Sequence, residues 1–102
     1  MSSPRRQVIL SPDAQDDLAD ILLHSWQSWG EAQRDQYEAA FARAIDDLSR
    51  FPEIGALRSD LFPGCRIRVV EQHVVYYWDT GDFVEIVRIL HERTDPSRHL
   101  HR

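Results

Sequence analysis

The residues best suited to chemistry lie in the C-terminal part of the chain, and arginine predominates among them. The set consists of Arg66, Arg68, Tyr76, Tyr77, Arg88, His91 and Arg93. RNA cleavage through a 2′-hydroxyl needs a general base, a general acid and cations over the phosphate, and this set contains groups of each kind. Arginine also binds phosphates and carboxylates through paired hydrogen bonds without any catalysis. The residue types alone leave both uses open.

The spacing of the arginines suggests a shared surface. Arg66 and Arg68 alternate with apolar residues, so both lie on one face of a strand, about 7 Å apart. If Arg88 lies on a neighbouring strand and faces the same way, three guanidinium groups converge. We therefore expect a target to be bound by Arg66, Arg68, Arg88, His91 and Arg93. The alternative is that the arginines pair with acids of the helices, while His91 only anchors the tail.

No other constellation of residues predicts a site. The chain has five histidines, but only His99 and His101 are close in sequence, and a single cysteine, Cys65, accompanies them. The four glycines are isolated, so no phosphate-binding loop is present, and no G-x-S-x-G motif occurs. The sequence therefore predicts no metal site, no cofactor and no catalytic residue. Cys65 is interpreted as a small, partly buried thiol.

Composition restricts the class of protein. A chain of 102 residues, 42% of them apolar, predicts one compact domain over residues 1–102. No apolar run approaches the roughly 18 residues of a membrane span, and one cysteine suits a reducing cytosol, so we predict a cytoplasmic protein. The net charge is −5, and residues 13–60 hold eleven acids against four arginines. This balance argues against nucleic-acid binding by the chain alone.

Local signals define two helices and four strands. Residues 7–10 form a first strand, and Ser11, Pro12 and Asp13 then supply an N-cap, a proline at the first helical position and an acid facing the helix dipole. Apolar residues at intervals of three and four predict one helix up to Gly30 and a second that ends before Pro52. Alternating residues from position 65 onward predict strands near 65–70, 74–78 and 83–90, with residues 79–82 as a hairpin loop.

These elements predict an α+β fold of two layers in the order β-α-α-β-β-β. An antiparallel sheet, extended by the first strand, carries the helical hairpin on one face. The last strand is apolar on both faces. We expect the helices to cover one of these faces and a partner to cover the other.

Five segments in this order resemble a known toxin superfamily. They are residues 10–18, 29–33, 51–55 and 72–77, and the strand and tail at 84–96, which contain the pattern Leu-His-x-Arg-x-Asp at residues 90–95. The chain resembles the RelE/ParE superfamily, and within it the ParE branch, over roughly residues 7–100. The resemblance implies the same two-layer fold. It also implies the toxin of a type II toxin–antitoxin module.

The resemblance to the ParE branch implies inhibition of DNA gyrase without catalysis. Neutralisation by a ParD-like antitoxin, within a hetero-oligomer, is implied as well. One alternative is a ribosome-dependent mRNA endoribonuclease of the RelE type. The acidic charge, the absence of lysine and the tail pattern count against it. Another alternative is a non-toxic relative that only binds an antitoxin.

The helical hairpin carries three more large aromatic residues than one core-facing stripe can bury. They are Trp26, Trp29 and Tyr37. Because large aromatic side chains commonly anchor interfaces, we predict that they bind the antitoxin, with Trp26 as the main anchor. The alternative is a packing cluster at the tip of the hairpin.

Overall fold

The computed structural model describes residues 5–100 and contains two helices packed on one face of a mixed sheet. In chain order the elements are β1 (Val8–Leu10), α1 (Pro12–Trp29), α2 (Glu31–Arg50), β2 (Ala56–Leu57), β3 (Arg66–Val70), β4 (His73–Asp79), β5 (Val84–His91) and a short 3₁₀ helix (Pro96–Arg98). The predicted α+β class and the order of the predicted elements are confirmed, and β2 is a strand in addition to the four that were predicted. No helix within residues 5–100 combines the length and the apolarity needed to cross a membrane.

The strand order in the sheet is β1-β5-β4-β3-β2. Strands β2 to β5 form the expected antiparallel meander, but β1 runs parallel to β5, with Val8 opposite Val84 and Leu10 opposite Ile86. The sheet is therefore mixed and not purely antiparallel. The parallel direction places the end of β1 beside the middle of β5, where the Ser11 N–H donates to the Ile86 carbonyl at 2.9 Å and the chain enters α1.

The residues predicted to begin α1 and to separate the two helices do so. The Ser11 Oγ accepts a hydrogen bond from the Ala14 N–H at 3.0 Å and donates one to the Val87 carbonyl at 2.7 Å, so it joins the start of α1 to β5. Gly30, at φ 90°, ends α1 and begins α2. Such a positive φ is strained for residues other than glycine, so Gly30 fixes the position of the reversal.

Each face of the sheet has its own apolar core. The helix-facing core includes Ala14, Phe41, Leu48, Tyr77, Ile86 and Ile89. The opposite face carries Phe62, Cys65, Tyr76, Val87, Leu90 and Leu100. The expectation that a partner covers the second face of the last strand is therefore wrong, because the chain covers it with its own 61–65 segment and its tail. Burial raises the pKa of the Cys65 thiol to about 11, as expected of an unreactive packing residue.

A hydrogen-bonded contact between Gly55 and Tyr77 fixes the chain after α2. The Tyr77 hydroxyl donates to the Pro52 carbonyl and accepts from the Gly55 N–H, both at 2.8 Å. A Cβ atom at residue 55 would lie 2.6 Å from the Tyr77 Oη and would also collide with the Ile67 carbonyl. This position therefore requires glycine. The contact sets the two-residue strand β2, which the sequence did not reveal, beside β3.

Candidate binding surfaces

Arg66 and Arg68 share one face of β3, as predicted, but that face is the one that carries the helices. Their strand partners are Tyr77 and Val75 of the helix-facing core. The Arg66 Nη1 donates to the Gly55 carbonyl at 2.8 Å and to the Glu53 carbonyl at 3.2 Å. The Arg68 Nη2 lies 2.7 Å from an Asp47 carboxylate oxygen on α2, and both of these side chains keep about a third of their surface exposed, 34% and 38%.

Arg88 pairs with α1 and does not join the other two arginines. A bulge in β5 places Tyr76 opposite Arg88 and Tyr77 opposite Ile86. The Arg88 guanidinium binds both carboxylate oxygens of Asp17, at 2.8 and 2.9 Å, and the side chains are only 20% and 15% exposed. The hydrogen bonds that Arg88 donates to Asp17 raise the pKa of Arg88 above its ordinary value. The expected convergence of three guanidinium groups is therefore wrong. Arg68 and Arg88 pair internally with helix acids, and Arg66 binds backbone carbonyls.

Asp17 also accepts a hydrogen bond from a backbone N–H near the bulge in β5. The same Asp17 oxygen that binds the Arg88 Nε accepts the Ile89 N–H at 2.9 Å. Asp17 directly precedes Leu18 in the apolar stripe of α1. An acid at the border of an apolar stripe was the signal that could have revealed this pair. Its partner is 71 positions away, however, so only the fold identifies it.

His91 and Arg93 lie in the turn that follows β5. The His91 Nδ1 accepts the Arg93 backbone N–H at 3.1 Å, and the His91 carbonyl accepts the Thr94 N–H at 2.9 Å. Two hydrogen bonds from Ser97 to the Asp95 carboxylate cap the next turn and lower the pKa of Asp95. The Arg93 side chain is exposed and makes no ion pair within residues 5–100. Among the predicted target-binding arginines, Arg93 is thus the most exposed, whereas Arg66, Arg68 and Arg88 are partly buried.

Trp26 lines an open groove on the outer side of the helical hairpin. The groove has a volume of about 670 Å³ and is lined by Ala19, Leu22, Leu23, Trp26, Glu31 and Arg34. Trp26 remains 52% exposed, and Leu23 is also exposed. Clusters of solvent-exposed apolar side chains are common at interaction sites.

Trp29 and Tyr37 line a different depression, on the inner side of the hairpin. This cavity of about 380 Å³ also contacts His24, Ser25, His73 and His91. Trp29 is 73% exposed, whereas Tyr37 is half-buried with its ring edge-on to His73 at 6.1 Å between centroids. The three aromatics predicted to bind an antitoxin therefore line two separate depressions. The histidines of the cavity come from distant segments, so no sequence spacing linked them.

Metal coordination has no geometric support in the described part of the chain. Within residues 5–100 no group of three or more histidine, cysteine, aspartate or glutamate side chains is placed to hold an ion. The candidate surfaces instead consist of internal ion pairs, an exposed arginine in the tail turn, an open apolar groove and a half-open depression lined by aromatic residues and histidines.

Comparison with known proteins decides the family. The family model described as "ParE toxin of type II toxin-antitoxin system, parDE" matches residues 8–96. The chain belongs to this family. It is 36% identical over 93 residues to Toxin ParE1 of Mycobacterium tuberculosis, which covers 90% of this chain and 95% of the relative. It is 35% identical over 91 residues to Toxin ParE1 of Caulobacter vibrioides, which covers 89% and 94%.

A solved structure supports the fold of this family member. The structure titled "Chromosomal ParDE TA system from P. aeruginosa" superposes with a TM-score of 0.73 at 21% sequence identity. The superposition covers 87% of this chain and 98% of that chain. This structure confirms the fold, and the family model and the ParE-named relatives confirm the ParE branch predicted from the five sequence segments.

Proposed function

We infer that this ParE toxin blocks replication by inhibiting DNA gyrase, that it acts in the cytoplasm, and that a cognate ParD-like antitoxin neutralises it in a hetero-oligomeric complex. The family match over residues 8–96 carries the proposal, together with relatives that are named as ParE toxins. The solved neighbour is named as a ParDE system, which supports a paired antitoxin.

The antitoxin binds the outer groove of the hairpin. Support comes from the apolar floor formed by Ala19, Leu22 and Leu23, with Trp26 exposed at its side. Glu31 and Arg34 border the groove and carry opposite charges. They can orient the polar side of a bound partner, while the apolar residues supply the contact area. An amphipathic helix of the antitoxin presents an apolar stripe that matches this apolar floor. Trp29 and Tyr37 contribute from the other side of the hairpin, where an extended segment of the antitoxin reaches them.

The target binds near the tail turn. Arg93 is the principal cation because it is exposed and makes no ion pair among the described residues, and His91 holds the backbone that carries it. Arg66 and Arg68 add partly exposed positive charge on β3. Arg88 acts indirectly, because its guanidinium is committed to Asp17 and supports the strand from which the tail emerges.

The toxin acts by binding and not by acid–base catalysis. In the neutral form of His91, the Nδ1 atom accepts the Arg93 N–H, so the second ring nitrogen carries the proton and cannot act as a base. A general acid or base commonly contributes about 10²–10⁴-fold to a rate, so its removal is easily detected. His91→Asn keeps an acceptor near the Nδ1 position, and we expect it to retain toxicity.

The decisive experiment compares two targets with the same purified toxin. Inhibition of gyrase supercoiling, with accumulation of cleaved DNA, is expected at concentrations that leave translation unaffected. Addition of the antitoxin should restore supercoiling. Cleavage of mRNA on ribosomes that is abolished in His91→Asn would instead establish the endoribonuclease alternative. Lack of any effect on both targets would establish a non-toxic antitoxin-binding relative.

A further inference from the structure

The outer edge of the sheet at β1 turns backbone groups away from the protein. β1 is the first strand in the sheet order and pairs with β5 alone. Next to it, the Gln7 carbonyl accepts and the Ser11 N–H donates a backbone hydrogen bond with β5, at 2.8 and 2.9 Å. Because successive residues of a strand alternate in the direction of their backbone groups, those of Ile9 also face β5. The backbone groups of Val8 and Leu10 therefore point outward.

Most of these outward groups have no partner within residues 5–100. The Leu10 carbonyl accepts the Gln15 side-chain amide at 3.0 Å and retains a second lone pair. The Val8 N–H, the Val8 carbonyl and the Leu10 N–H make no hydrogen bond with another described residue. A strand edge of this kind is a template for pairing with a further strand.

The residues of β1 do little to prevent such pairing. Natural edge strands are commonly protected by charged side chains, proline or bulges, or by being short. β1 is short, but it consists of Val8, Ile9 and Leu10 and pairs with β5 without a bulge. Val8 and Leu10 pack against the helix-facing core, whereas Ile9 is 37% exposed. A strand added at this edge would cover the Ile9 side chain.

We propose that β1 pairs antiparallel with β1 of a second copy of this chain, centred on Ile9, so that the two sheets join into one. The outward groups belong to Val8 and Leu10, which are placed symmetrically about Ile9. In this register Val8 lies opposite Leu10 of the second copy, and each such pair can exchange two backbone hydrogen bonds. Ile9 lies opposite its own copy in a non-hydrogen-bonded position, where Cα atoms are about 4.5 Å apart and side chains are closest.

The charges at the two ends of β1 favour this antiparallel arrangement. Arg5 precedes the strand, and its side chain is 59% exposed. Asp13 and Asp16 follow the strand in the first turns of α1 and are also exposed. Antiparallel pairing places the basic end of one β1 beside the acidic end of the other, which offsets part of the repulsion between two chains of net charge −5. The edge shares no residue with the outer groove or the tail turn, so the pairing is independent of the proposed function.

Cysteine cross-linking of the full chain tests both the contact and its register. Ile9→Cys should form a disulfide between two copies under mild oxidation, because the expected Cα separation of about 4.5 Å suits a disulfide. Gln7→Cys, on the same face of the strand, is the matched control. In the proposed register the two copies of residue 7 are about 14 Å apart, too far for a disulfide. The native Cys65 is buried and should not react.

Analytical ultracentrifugation from micromolar to millimolar concentration measures the association itself. The paired segment is short, so we expect a weak dimer. Ile9→Arg places like charges opposite each other and should raise the dissociation constant by more than about tenfold. Val69→Arg, at a residue of β3 that is 61% exposed, should leave it unchanged. Val8→Pro removes an outward N–H and keeps the hydrogen bonds of Ile9 with β5, so it should weaken association in a folded chain.

Amide hydrogen exchange locates the contact without any substitution. The Val8 and Leu10 amides should become more protected as the toxin concentration rises, whereas the Val69 amide should not. Protection of Val8 and Leu10 that appears only after antitoxin is added would assign this edge to the antitoxin and overturn the proposal. The proposal is also overturned if Ile9→Cys and Gln7→Cys cross-link equally, or if the unmodified chain remains monomeric at millimolar concentration.

Discussion

The outer side of the helical hairpin and the arginine-bearing strands differ in what their side chains already contact. Trp26 and Leu23 lie in an open groove and remain exposed. Arg68 and Arg88 carry charges that would suit a partner, yet each is paired with an aspartate of a helix. The hairpin therefore leaves apolar surface exposed, whereas Arg68 and Arg88 of the strands use their charge to hold the helices to the sheet.

The difference shows that residue type alone does not identify a binding surface. An exposed apolar side chain has no internal partner that compensates its exposure, so the exposure itself is informative. An arginine on a strand has long reach and many acids within it, so its charge is commonly satisfied inside the protein. Arg93 differs from the other arginines of the predicted site because it is exposed in the turn that follows β5.

The largest expected effect is on the ion pair that joins α1 to β5. Asp17→Ala should lower the free energy of unfolding by about 3–5 kcal/mol, because it leaves the Arg88 charge and the Ile89 N–H largely buried without a partner. Urea denaturation measures the change. Asp16→Ala, exposed on the same helix, should change stability by less than about 0.5 kcal/mol. Equal effects of the two substitutions would contradict the assigned role of Asp17.

A smaller loss is expected where the chain turns back after α2. Tyr77→Phe removes the hydroxyl that bonds the Pro52 carbonyl and the Gly55 N–H, and should cost about 2 kcal/mol. Tyr76→Phe is the matched control, because the Tyr76 hydroxyl makes no hydrogen bond within residues 5–100 and only the ring is needed for packing. Thermal and urea unfolding of both variants test the assignment. A larger loss in Tyr76→Phe would refute it.

The stability should also depend on pH through His73. Burial keeps the pKa of His73 in the folded protein below the value of about 6.5 expected when unfolded. The unfolded state therefore binds the proton first. The contribution of His73 to stability is fully present above about pH 6.5 and is lost as the pH falls toward the lower pKa of the folded state. The slope is at most about 1.4 kcal/mol per pH unit for one proton. His73→Phe should remove this component of the pH profile, whereas His99→Gln in the tail should retain it.

We expect the least loss of stability when the ion pair between Arg68 and Asp47 is removed. Arg68→Met should cost less than about 1 kcal/mol, because the pair with Asp47 is solvent-accessible and water screens it. Methionine keeps an unbranched aliphatic side chain at this position and removes only the charged group. Urea denaturation should place this variant close to the wild type. A loss comparable to that of Asp17→Ala would mean that both arginines have the same structural role, and would remove the distinction between them.

Much of the fold was predictable because its signals are local. Ser11 and Pro12 begin α1, Gly30 separates the helices, and Gly81, at φ 99°, shapes the hairpin loop before β5. The alternation of side chains from Cys65 onward gave the three longer strands. These signals act within a few residues, so the sequence alone contains them.

The candidate site was less predictable because it depends on pairing between distant segments. Neither the parallel direction of β1 nor the bulge that aims Arg88 at Asp17 follows from local propensity. The cavity joins Ser25 and His73 from opposite layers, and a spacing of 48 positions carries no periodic signal. The aromatic surplus at the hairpin was visible in the sequence, but its division between two depressions was not.

The most direct test of separate antitoxin and target surfaces measures both activities in two variants. Trp26→Ala should weaken antitoxin binding by about 2 kcal/mol, roughly 30-fold, and leave gyrase inhibition unchanged. Arg93→Glu should abolish gyrase inhibition and leave antitoxin affinity unchanged. Leu57→Ala and Arg43→Glu, exposed outside the groove and the tail turn, are the matched controls. If each of the two test variants lost both activities while remaining folded, the two surfaces would be one, and the account would be contradicted.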